Sequence, residues 1–356
     1  MKILITAPSL DETRNVSGIS TIVRQIMDYG PDEYSHFVAG REDGERSGAK
    51  WAIRQALLPA NFFLRIMRFR PDVIHINTAL TDRSIIRDAA LVTAAKLTGR
   101  PIAVAIHGGK YLIEDFTSTR LFEITGGMLK KANTIIVYSE YEKALISKKW
   151  PGRVISTLPN AIPAEFIGNA DRENEEPLLV YFGRMHESKG LHELIEASRA
   201  LRDAGFKFRL DAYGEGPIRE FFVSEMTNAI GDRFNYGGVI TGSDKWLILR
   251  QADIFVLPSR YGEGLPMAML EAMAAGCIVV AGDVASVSTV VRDSQNGYLV
   301  KPNDAAGLAS KLKLILGERF EWTGIREKAV TTIRTKFEIK DYMARLGAIY
   351  SKTVGE

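Results

Sequence analysis

Two short runs in the second half of the sequence combine charged side chains with glycines. In the first run, residues 182–191, a strand ends at Gly183, and Arg184 and Lys189 follow before a helix begins. The planar fork of an arginine and the compact charge of a lysine together suit a diphosphate. The alternative for Arg184 and Lys189 is a pair of solvated loop cations.

The second run, residues 258–266, follows an apolar strand and contains Gly262, Gly264 and Pro266. Proline suits the first turn of a helix, and a helix N-terminus is an anion site. Glu263 lies in this loop and Glu271 lies eight residues later, inside the helix. Two carboxylates beside a phosphate site indicate recognition of hydroxyls on two sugars. The alternatives are a helix-capping role for Glu263 and a surface position for Glu271.

Three further strand ends carry glycines. Gly18 lies between the first strand and a helix, where it allows backbone amides to approach an anion. His107 ends a strand before Gly108-Gly109 and is well placed for a cleft, although a local loop hydrogen bond is the alternative. Gly214 begins the run Gly214-Glu215-Gly216-Pro217, which lacks the third glycine of a dinucleotide fingerprint and predicts a tight turn at the cleft rim.

Short apolar strands alternate with helix-length segments, which predicts an α/β fold with parallel sheets covered on both faces. The predicted strands are 2–6, 34–39, 72–77, 101–106, 133–138, 153–157, 178–182, 207–213, 234–239, 254–257 and 278–281. The predicted helices include 83–98, 140–150, 190–203, 217–230, 243–251 and 265–275. Ligands of such sheets bind outside the carboxyl ends of the strands.

The pattern restarts after residues 169–177, a polar stretch that ends in proline and predicts an interdomain linker. We therefore expect two doubly wound, Rossmann-like domains, residues 1–165 and 166–337, that face each other across a cleft. A helix at about 338–356 is expected to pack back on the first domain.

Composition excludes several classes of protein. The 356 residues are 46% hydrophobic and 25% charged, as in soluble globular proteins. The single cysteine, Cys277, excludes an internal disulfide and a cysteine zinc cluster, and it lies in an apolar strand. The short N-terminal apolar run is a strand rather than a signal peptide, and no stretch reaches the roughly 18 apolar residues of a membrane span. We therefore expect a cytoplasmic protein.

Positive charge is concentrated in the first half. Residues 1–165 hold 22 Lys and Arg against 17 Asp and Glu, a net charge of +5, whereas the remainder carries −2. Within that half, residues 50–70 contain no acidic residue and interleave basic with large apolar side chains around Pro59. If helical on either side of Pro59, this segment predicts peripheral contact with an anionic membrane. Alternatively, Phe62, Phe63, Ile66 and Met67 pack against the sheet.

Taken together, these runs resemble the retaining glycosyltransferases of the GT-B fold, specifically family 4, the glycosyl transferases group 1. The spacing of Glu263 and Glu271 is the paired-glutamate motif of that family. The other resembling pieces of the second half are Phe182–Gly190, Gly214–Pro217, Ala252–Ser259, Ala274–Gly276 and Asn296–Val300. The first half resembles the family through Gly18, Pro71–His75, His107 and Leu158–Ala161.

The resemblance implies a role for each candidate residue toward a nucleotide-sugar donor. Arg184 and Lys189 would bind the diphosphate, and Glu271 the ribose hydroxyls. Glu263 would hold the transferred sugar, while backbone amides around Gly264 and Leu265 touch phosphate. Gly183 and Gly214 would border the donor, Gly18 would approach phosphate, and His107 would touch the donor sugar. The family often has several glycines around Gly18, where this chain has one.

The mechanism expected from these residues needs no metal or other cofactor. Charge develops on the departing diphosphate and must be stabilised. Metal-dependent enzymes of this kind commonly use two aspartates one residue apart, and no Asp-x-Asp occurs in the sequence. Arg184, Lys189 and a helix N-terminus supply positive charge instead. Retention of the anomeric configuration is implied by the resemblance.

The sequence therefore predicts a transferase that moves a hexose or N-acetylhexosamine to a glycan or lipid-linked acceptor in bacterial polysaccharide assembly. UDP-sugars are favoured as donors, and GDP-mannose stays open; no nucleic acid partner is expected. The alternatives are a nucleotide-sugar 2-epimerase on the same fold, a two-domain sugar-binding protein and a nicotinamide-dependent dehydrogenase.

Overall fold

The computed structural model describes the chain except Thr13, Val16, residues 41–47, Asn169, Asp171, Glu173, Ala285 and Glu356, and it describes only the backbone at positions 49 and 50. The chain divides into two compact units. The first comprises Met1–Asn160 with Ile339–Glu356, and the second comprises Ala161–Glu338.

The first unit is a parallel six-stranded sheet flanked by helices. Its strands are β1 Lys2–Ala7, β2 Glu33–Val38, β3 Val73–Thr78, β4 Ile102–Ile106, β5 Thr134–Val137 and β6 Ile155–Thr157. Its first six helices are α1 Gly18–Tyr29, α2 Ala49–Phe69, α3 Asp82–Lys96, α4 Lys110–Ile113, α5 Thr119–Lys131 and α6 Glu140–Lys149. The strand order is β2-β1-β3-β4-β5-β6, so the winding direction reverses between β1 and β3. Strands β3, β4 and β5 are buried along their whole length, as expected for a sheet covered on both faces.

The second unit repeats this architecture with a different strand order. Its strands are β7 Leu178–Phe182, β8 Arg209–Tyr213, β9 Phe234–Tyr236, β10 Ile254–Leu257, β11 Ile278–Gly282 and β12 Tyr298–Val300. Its helices are α7 Leu191–Asp203, α8 Arg219–Ile230, α9 Gly242–Gln251, α10 Met267–Ala274, α11 Ala305–Gly317 and α12 Trp322–Lys336. The order β12-β11-β10-β7-β8-β9 reverses between β7 and β10.

The segment predicted as an interdomain linker, residues 169–177, lies inside the second unit. Three of its residues lie outside the described part of the chain, but Arg172 and Asn174 are described. Arg172 donates to the carbonyl oxygen of Ala275 at 2.6 Å, and the Asn174 amide donates to Asp253 at 2.9 Å. These bonds hold the segment against its own unit.

Pro59 does not divide α2, which runs continuously for 21 residues. A proline inside a helix removes one backbone hydrogen bond and crowds the preceding turn. Phe62 and Ile66 are buried in the core of the first unit, so packing offsets this cost. Met67, considered above as a core residue, is exposed. Among the described residues, no helix has both the length and the apolar character that crossing a bilayer requires.

The last helix, α13 Ile339–Val354, belongs to the first unit, although it follows the second along the chain. The Tyr350 hydroxyl lies 2.6 Å from Nδ1 of His75 in β3. Thr353 Oγ1 donates to Thr134 Oγ1 of β5 at 2.9 Å. Leu346 is fully buried, so α13 completes the apolar core of this unit.

We predict that Leu346→Ala lowers the free energy of unfolding of the first unit by about 2–5 kcal/mol, because it leaves a cavity beneath α13. Lys340→Ala, an exposed change on the same helix, is the control and is expected to stay within about 0.5 kcal/mol. Urea unfolding gives the two values. Hydrogen exchange should show the loss in residues 1–160, and protection lost equally in residues 161–338 would contradict the assignment of α13.

Candidate functional site

The two charged runs follow neighbouring strands, at the point where the strand order of the second sheet reverses. Residues 183–190 follow β7, and residues 258–266 follow β10, and these strands pair in parallel. Their carboxyl ends therefore lie at the same edge of the sheet. A reversal of strand order leaves a crevice at this edge, where doubly wound sheets bind their ligands.

Lys189 and Glu263 form an ion pair at this edge. Nζ of Lys189 lies 2.5 Å from Oε1 of Glu263, and the Ser259 hydroxyl donates to the same oxygen at 2.6 Å. Glu263 is only 8% exposed, so the carboxylate is nearly removed from water. The cation expected on the diphosphate and the carboxylate expected on the sugar thus contact each other, and an anion on Lys189 would compete with Glu263.

Arg184 takes a different position from Lys189. Its backbone carbonyl accepts a hydrogen bond from the Tyr181 hydroxyl at 2.9 Å, which fixes the start of the loop. Its side chain is exposed and forms no ion pair within the described chain. A guanidinium in this state can reorient toward an anion without first breaking a bond to a carboxylate.

The N-terminus of α10 adds a second source of positive potential. No side chain caps the helix at Pro266, which has an extended backbone conformation. Gly264 and Leu265, which precede it, are buried. The first amides of a helix have no acceptor within the helix, and its dipole favours an anion there. Glu263 does not cap α10, so the capping alternative considered for it is wrong.

Glu271 is buried in α10 at 2% exposure, so the surface position considered for it is wrong as well. Its Oε1 accepts a bond from Nζ of Lys245 in α9 at 2.6 Å. Its Oε2 is buried and has no hydrogen-bond partner. An unsatisfied buried acceptor costs roughly 1–3 kcal/mol, so a ligand that brings hydroxyl donors to Oε2 would be favoured.

Lys245 was not among the residues expected from the sequence. It lies on a helix of mixed polarity, and its charge alone does not distinguish it from a solvated lysine. The same holds for Arg260, whose guanidinium binds the buried Glu193 carboxylate at 2.8 Å and joins the loop after β10 to α7. Contact with a buried carboxylate is what distinguishes Lys245 and Arg260 from solvated cations. That contact is visible only in the folded structure, because the partners are distant in the sequence.

Two glycines allow the loops to approach closely. Gly190 has φ +70°, and a Cβ built there would lie 2.0 Å from the carbonyl oxygen of Pro258. Gly214 has φ +133°, and its Cβ would lie 1.9 Å from the carbonyl oxygen of Gly183. Gly214 is therefore required by backbone packing, whatever its contact with a ligand.

His107 lies at the carboxyl end of β4 in the first unit, as the sequence indicates. Asn77 donates its amide to the Thr6 carbonyl at 2.7 Å, which turns Oδ1 toward Nε2 of His107 at 2.5 Å. Nε2 therefore donates, and Nδ1 accepts from the Tyr138 hydroxyl. Burial lowers the pKa of His107 to about 3, so the ring is neutral at pH 7. A contact with a sugar would replace one of these two bonds.

Gly18 is the first residue of α1 and is exposed. The Ser17 side chain caps the helix by accepting from the Ser20 amide at 3.2 Å. The amide groups of Gly18 and Ile19 are left without acceptors inside the helix, as in any first turn. Val16, which belongs to the same predicted loop, lies outside the described residues.

Across the described residues, no group of three or more His, Cys, Asp or Glu side chains is arranged to hold a metal ion.

Comparison with protein families covers both units. Residues 164–332 match the family model described as Glycosyl transferases group 1, and residues 27–166 match the one described as Glycosyltransferase Family 4. The chain belongs to the group 1 glycosyltransferases. Four candidate residues of this glycosyltransferase, Arg184, Lys189, Glu263 and Glu271, lie within the first match. His107 lies within the second, and Gly18 precedes both.

This glycosyltransferase is 26% identical over 307 residues to TuaC of Bacillus subtilis, a glycosyltransferase assigned to teichuronic acid biosynthesis, over 81% of this chain and 73% of TuaC. It is 34% identical over 140 residues to WcaL of Escherichia coli, assigned to colanic acid biosynthesis, over 38% of this chain. The match spans only 34% of the length of WcaL.

A solved structure supports the fold. The UDP-glucose complex of HepE from Anabaena is similar with a TM-score of 0.79 at 16% identity, over 99% of this chain and 100% of that chain. At this identity the similarity shows the fold alone. Together with the two six-stranded parallel sheets, it confirms the GT-B fold expected from the sequence.

We predict that Gly190→Ala destabilises the second unit of the glycosyltransferase more than Gly205→Ala does. Gly205 has a similar φ of +79° with no atom within 4 Å of a built Cβ. Gly205→Ala should lower the free energy of unfolding by about 1–2 kcal/mol, because alanine disfavours the left-handed backbone conformation. Gly190→Ala adds a clash with Pro258, worth roughly 1–3 kcal/mol more. Urea unfolding measures both, and equal losses would show that the two loops do not approach as described.

Proposed function

We propose that this glycosyltransferase moves a hexose or N-acetylhexosamine from a nucleotide-diphosphate sugar to a glycan or glycolipid acceptor. The observation that carries the proposal is the buried Oε2 of Glu271, which has no partner and lies on the helix whose N-terminus is uncapped. From Met267 to Glu271 the helix rises about 6 Å. That length suits a ribose hydroxyl at Glu271 and a phosphate at the helix N-terminus.

The remaining groups divide the donor between them. Lys189 and Arg184 stabilise the diphosphate as it departs, and the amides near Gly264 and Leu265 contact phosphate. Glu263, released from Lys189 by the incoming anion, accepts hydroxyls of the transferred sugar. Gly183 borders the donor. From the first unit, Gly18 and His107 contribute contacts to phosphate and sugar, as the family resemblance implies.

The identity of the donor and acceptor is proposed from related proteins. HepE, which shares the fold, is described in complex with UDP-glucose, and this supports a UDP-sugar over GDP-mannose. TuaC is assigned to teichuronic acid biosynthesis and WcaL to colanic acid biosynthesis, which supports a polysaccharide acceptor. Enzymes that build such polymers from nucleotide sugars meet these donors in the cytoplasm, which we propose as the location.

We propose further that transfer is metal-independent and retains the anomeric configuration. The support for metal independence is the presence of Arg184, Lys189 and a helix N-terminus where leaving-group charge develops, together with the absence of Asp-x-Asp from the sequence. The support for retention is the family resemblance, and attack on the same face of the sugar would be assisted by the departing phosphate. No other cofactor is proposed.

The alternative is a nucleotide-sugar 2-epimerase, which would bind the same donor in the same site. The family models favour transfer. Incubation with a nucleotide sugar and no acceptor distinguishes the two, because an epimerase alone would convert the donor into its 2-epimer.

We predict that Lys189→Met lowers kcat/KM by about 30- to 1,000-fold, equivalent to about 2–4 kcal/mol of transition-state stabilisation, because the departing diphosphate loses a fixed cation. Lys207→Met, an exposed lysine in the same unit, is the control and should have little effect. EDTA should leave the rate nearly unchanged. Loss of activity with EDTA and its recovery with magnesium or manganese would refute metal independence.

We predict that the two glutamates affect different steps. Glu271→Gln and Lys245→Met should each weaken binding of free UDP, because the carboxylate that accepts the ribose hydroxyls is lost or reoriented. Glu263→Gln should lower kcat without weakening UDP binding, because its ligand is the sugar and the loss of its charge leaves Lys189 free for the diphosphate. Calorimetric titration with UDP, 2′-deoxy-UDP and GDP measures these affinities. Equal loss of UDP affinity in all three variants would contradict this division. If the wild type bound neither UDP nor GDP, the proposed nucleotide-sugar donor would be contradicted.

A further inference from the structure

Helix α2 has two apolar faces, and the core of the first unit uses only one of them. Leu58, Phe62 and Ile66 are buried against the sheet. Four other large apolar side chains of the same helix are exposed: Ile53 (60%), Leu57 (52%), Leu64 (64%) and Met67 (54%). These four residues are called the outer stripe below.

The outer stripe is a continuous feature of the helix surface. At 3.6 residues per turn, its four residues fall within an arc of about 80°. The buried residues Leu58, Phe62 and Ile66 are centred on the opposite side of the helix. Packing within the unit therefore does not account for the outer stripe, which runs along most of a helix about 31 Å long.

The charged residues of α2 are all basic. Residues 49–70 contain no aspartate or glutamate. Arg54, Arg65 and Arg68 are exposed on one flank of the stripe. Arg65 is oriented by a hydrogen bond to the Ser35 hydroxyl at 2.7 Å. An apolar stripe bordered by arginines is typical of helices that lie in the interface of an anionic bilayer.

An open surface cavity of about 380 Å³, which is a groove rather than an enclosed space, lies next to the stripe, between α2 and the edge strand β2. Both arginine side chains of the last helical turns, Arg65 and Arg68, line it, and so does Leu64 of the outer stripe. The cavity is thus lined by two arginines beside an exposed apolar residue. That combination matches a phospholipid, whose phosphate and first acyl carbons lie side by side.

We propose that α2 is a membrane-binding surface, in which the outer stripe inserts among the acyl chains of an anionic bilayer and the cavity of Arg65 and Arg68 binds a lipid phosphate. The occupant is a bilayer because the arginines complement anionic headgroups and the stripe extends along the helix in a single plane. The inference uses only α2 and β2, so it stands or falls separately from the proposed donor site.

The test is co-sedimentation of the full chain with vesicles of phosphatidylcholine, with or without phosphatidylglycerol. We expect preferential binding to the anionic vesicles that weakens as salt is raised, since the attraction is screened. Arg65→Gln with Arg68→Gln should reduce binding to anionic vesicles by roughly 25-fold, at about fivefold for each cation near an anionic leaflet. Leu57→Gln with Leu64→Gln should reduce binding to every anionic composition.

Matched controls remove two cations or two leucines from other exposed surfaces. Arg83→Gln with Lys96→Gln on α3, and Leu247→Gln with Leu314→Gln on the second unit, should bind vesicles like the wild type. Circular dichroism and calorimetric titration with UDP should be unchanged in all four variants. Failure of the wild type to prefer anionic vesicles at low salt overturns the proposal. So does a dimer, detected by light scattering, that dissociates on Leu57→Gln with Leu64→Gln, because a second copy would then cover the stripe.

Discussion

The loops after β7 and β10 can hold Lys189 and Glu263 in contact only because Gly190 has no side chain. A methyl group there would meet the Pro258 carbonyl oxygen at 2.0 Å, and the loops would have to separate. A buried carboxylate such as Glu263 is tolerated only while a cation and a hydroxyl remain within bonding distance. The approach of two backbones thus fixes the charge pattern at the sheet edge, and the position of α10 with Glu271 follows from the same loop.

The sequence predicts those parts of the fold that repeat along the chain. Doubly apolar strands alternating with helices indicate parallel sheets, and two such blocks indicate two Rossmann-like units. The GT-B expectation comes from the family resemblance. Features set by distant residues were not predictable in this way. The pattern around Glu271 does not reveal its burial, and nothing around Lys245 indicates that it meets that carboxylate. Local preferences can also oppose the fold: Pro59 disfavours the middle of α2, where packing overrides it, and Gly126-Gly127 disfavour α5 by roughly 1 kcal/mol for each glycine.

The candidate residues of the first unit differ in character from those of the second. Lys189 and Arg184 are cations placed to meet an incoming anion. His107 is instead a neutral ring with both nitrogens bonded, and its tautomer is set by Asn77 and Tyr138. A histidine held in this way has a defined orientation and one donor, properties that favour a hydrogen bond of fixed geometry over charge stabilisation. Its contact with the donor sugar stays a prediction, and that contact would replace the bond to Asn77 or the bond to Tyr138.

Helix α13 has a consequence for the order in which the molecule is made. The ribosome produces residues 1–160 first, yet their sheet lacks one of its covering helices until residues 339–354 emerge. The second unit, whose residues are contiguous, is complete before that moment. The second unit can therefore complete its fold before the first. Until α13 is made, the surface of the first unit around His75 stays open to solvent. During synthesis the N-terminal sheet is a natural client for chaperones that shield apolar surface.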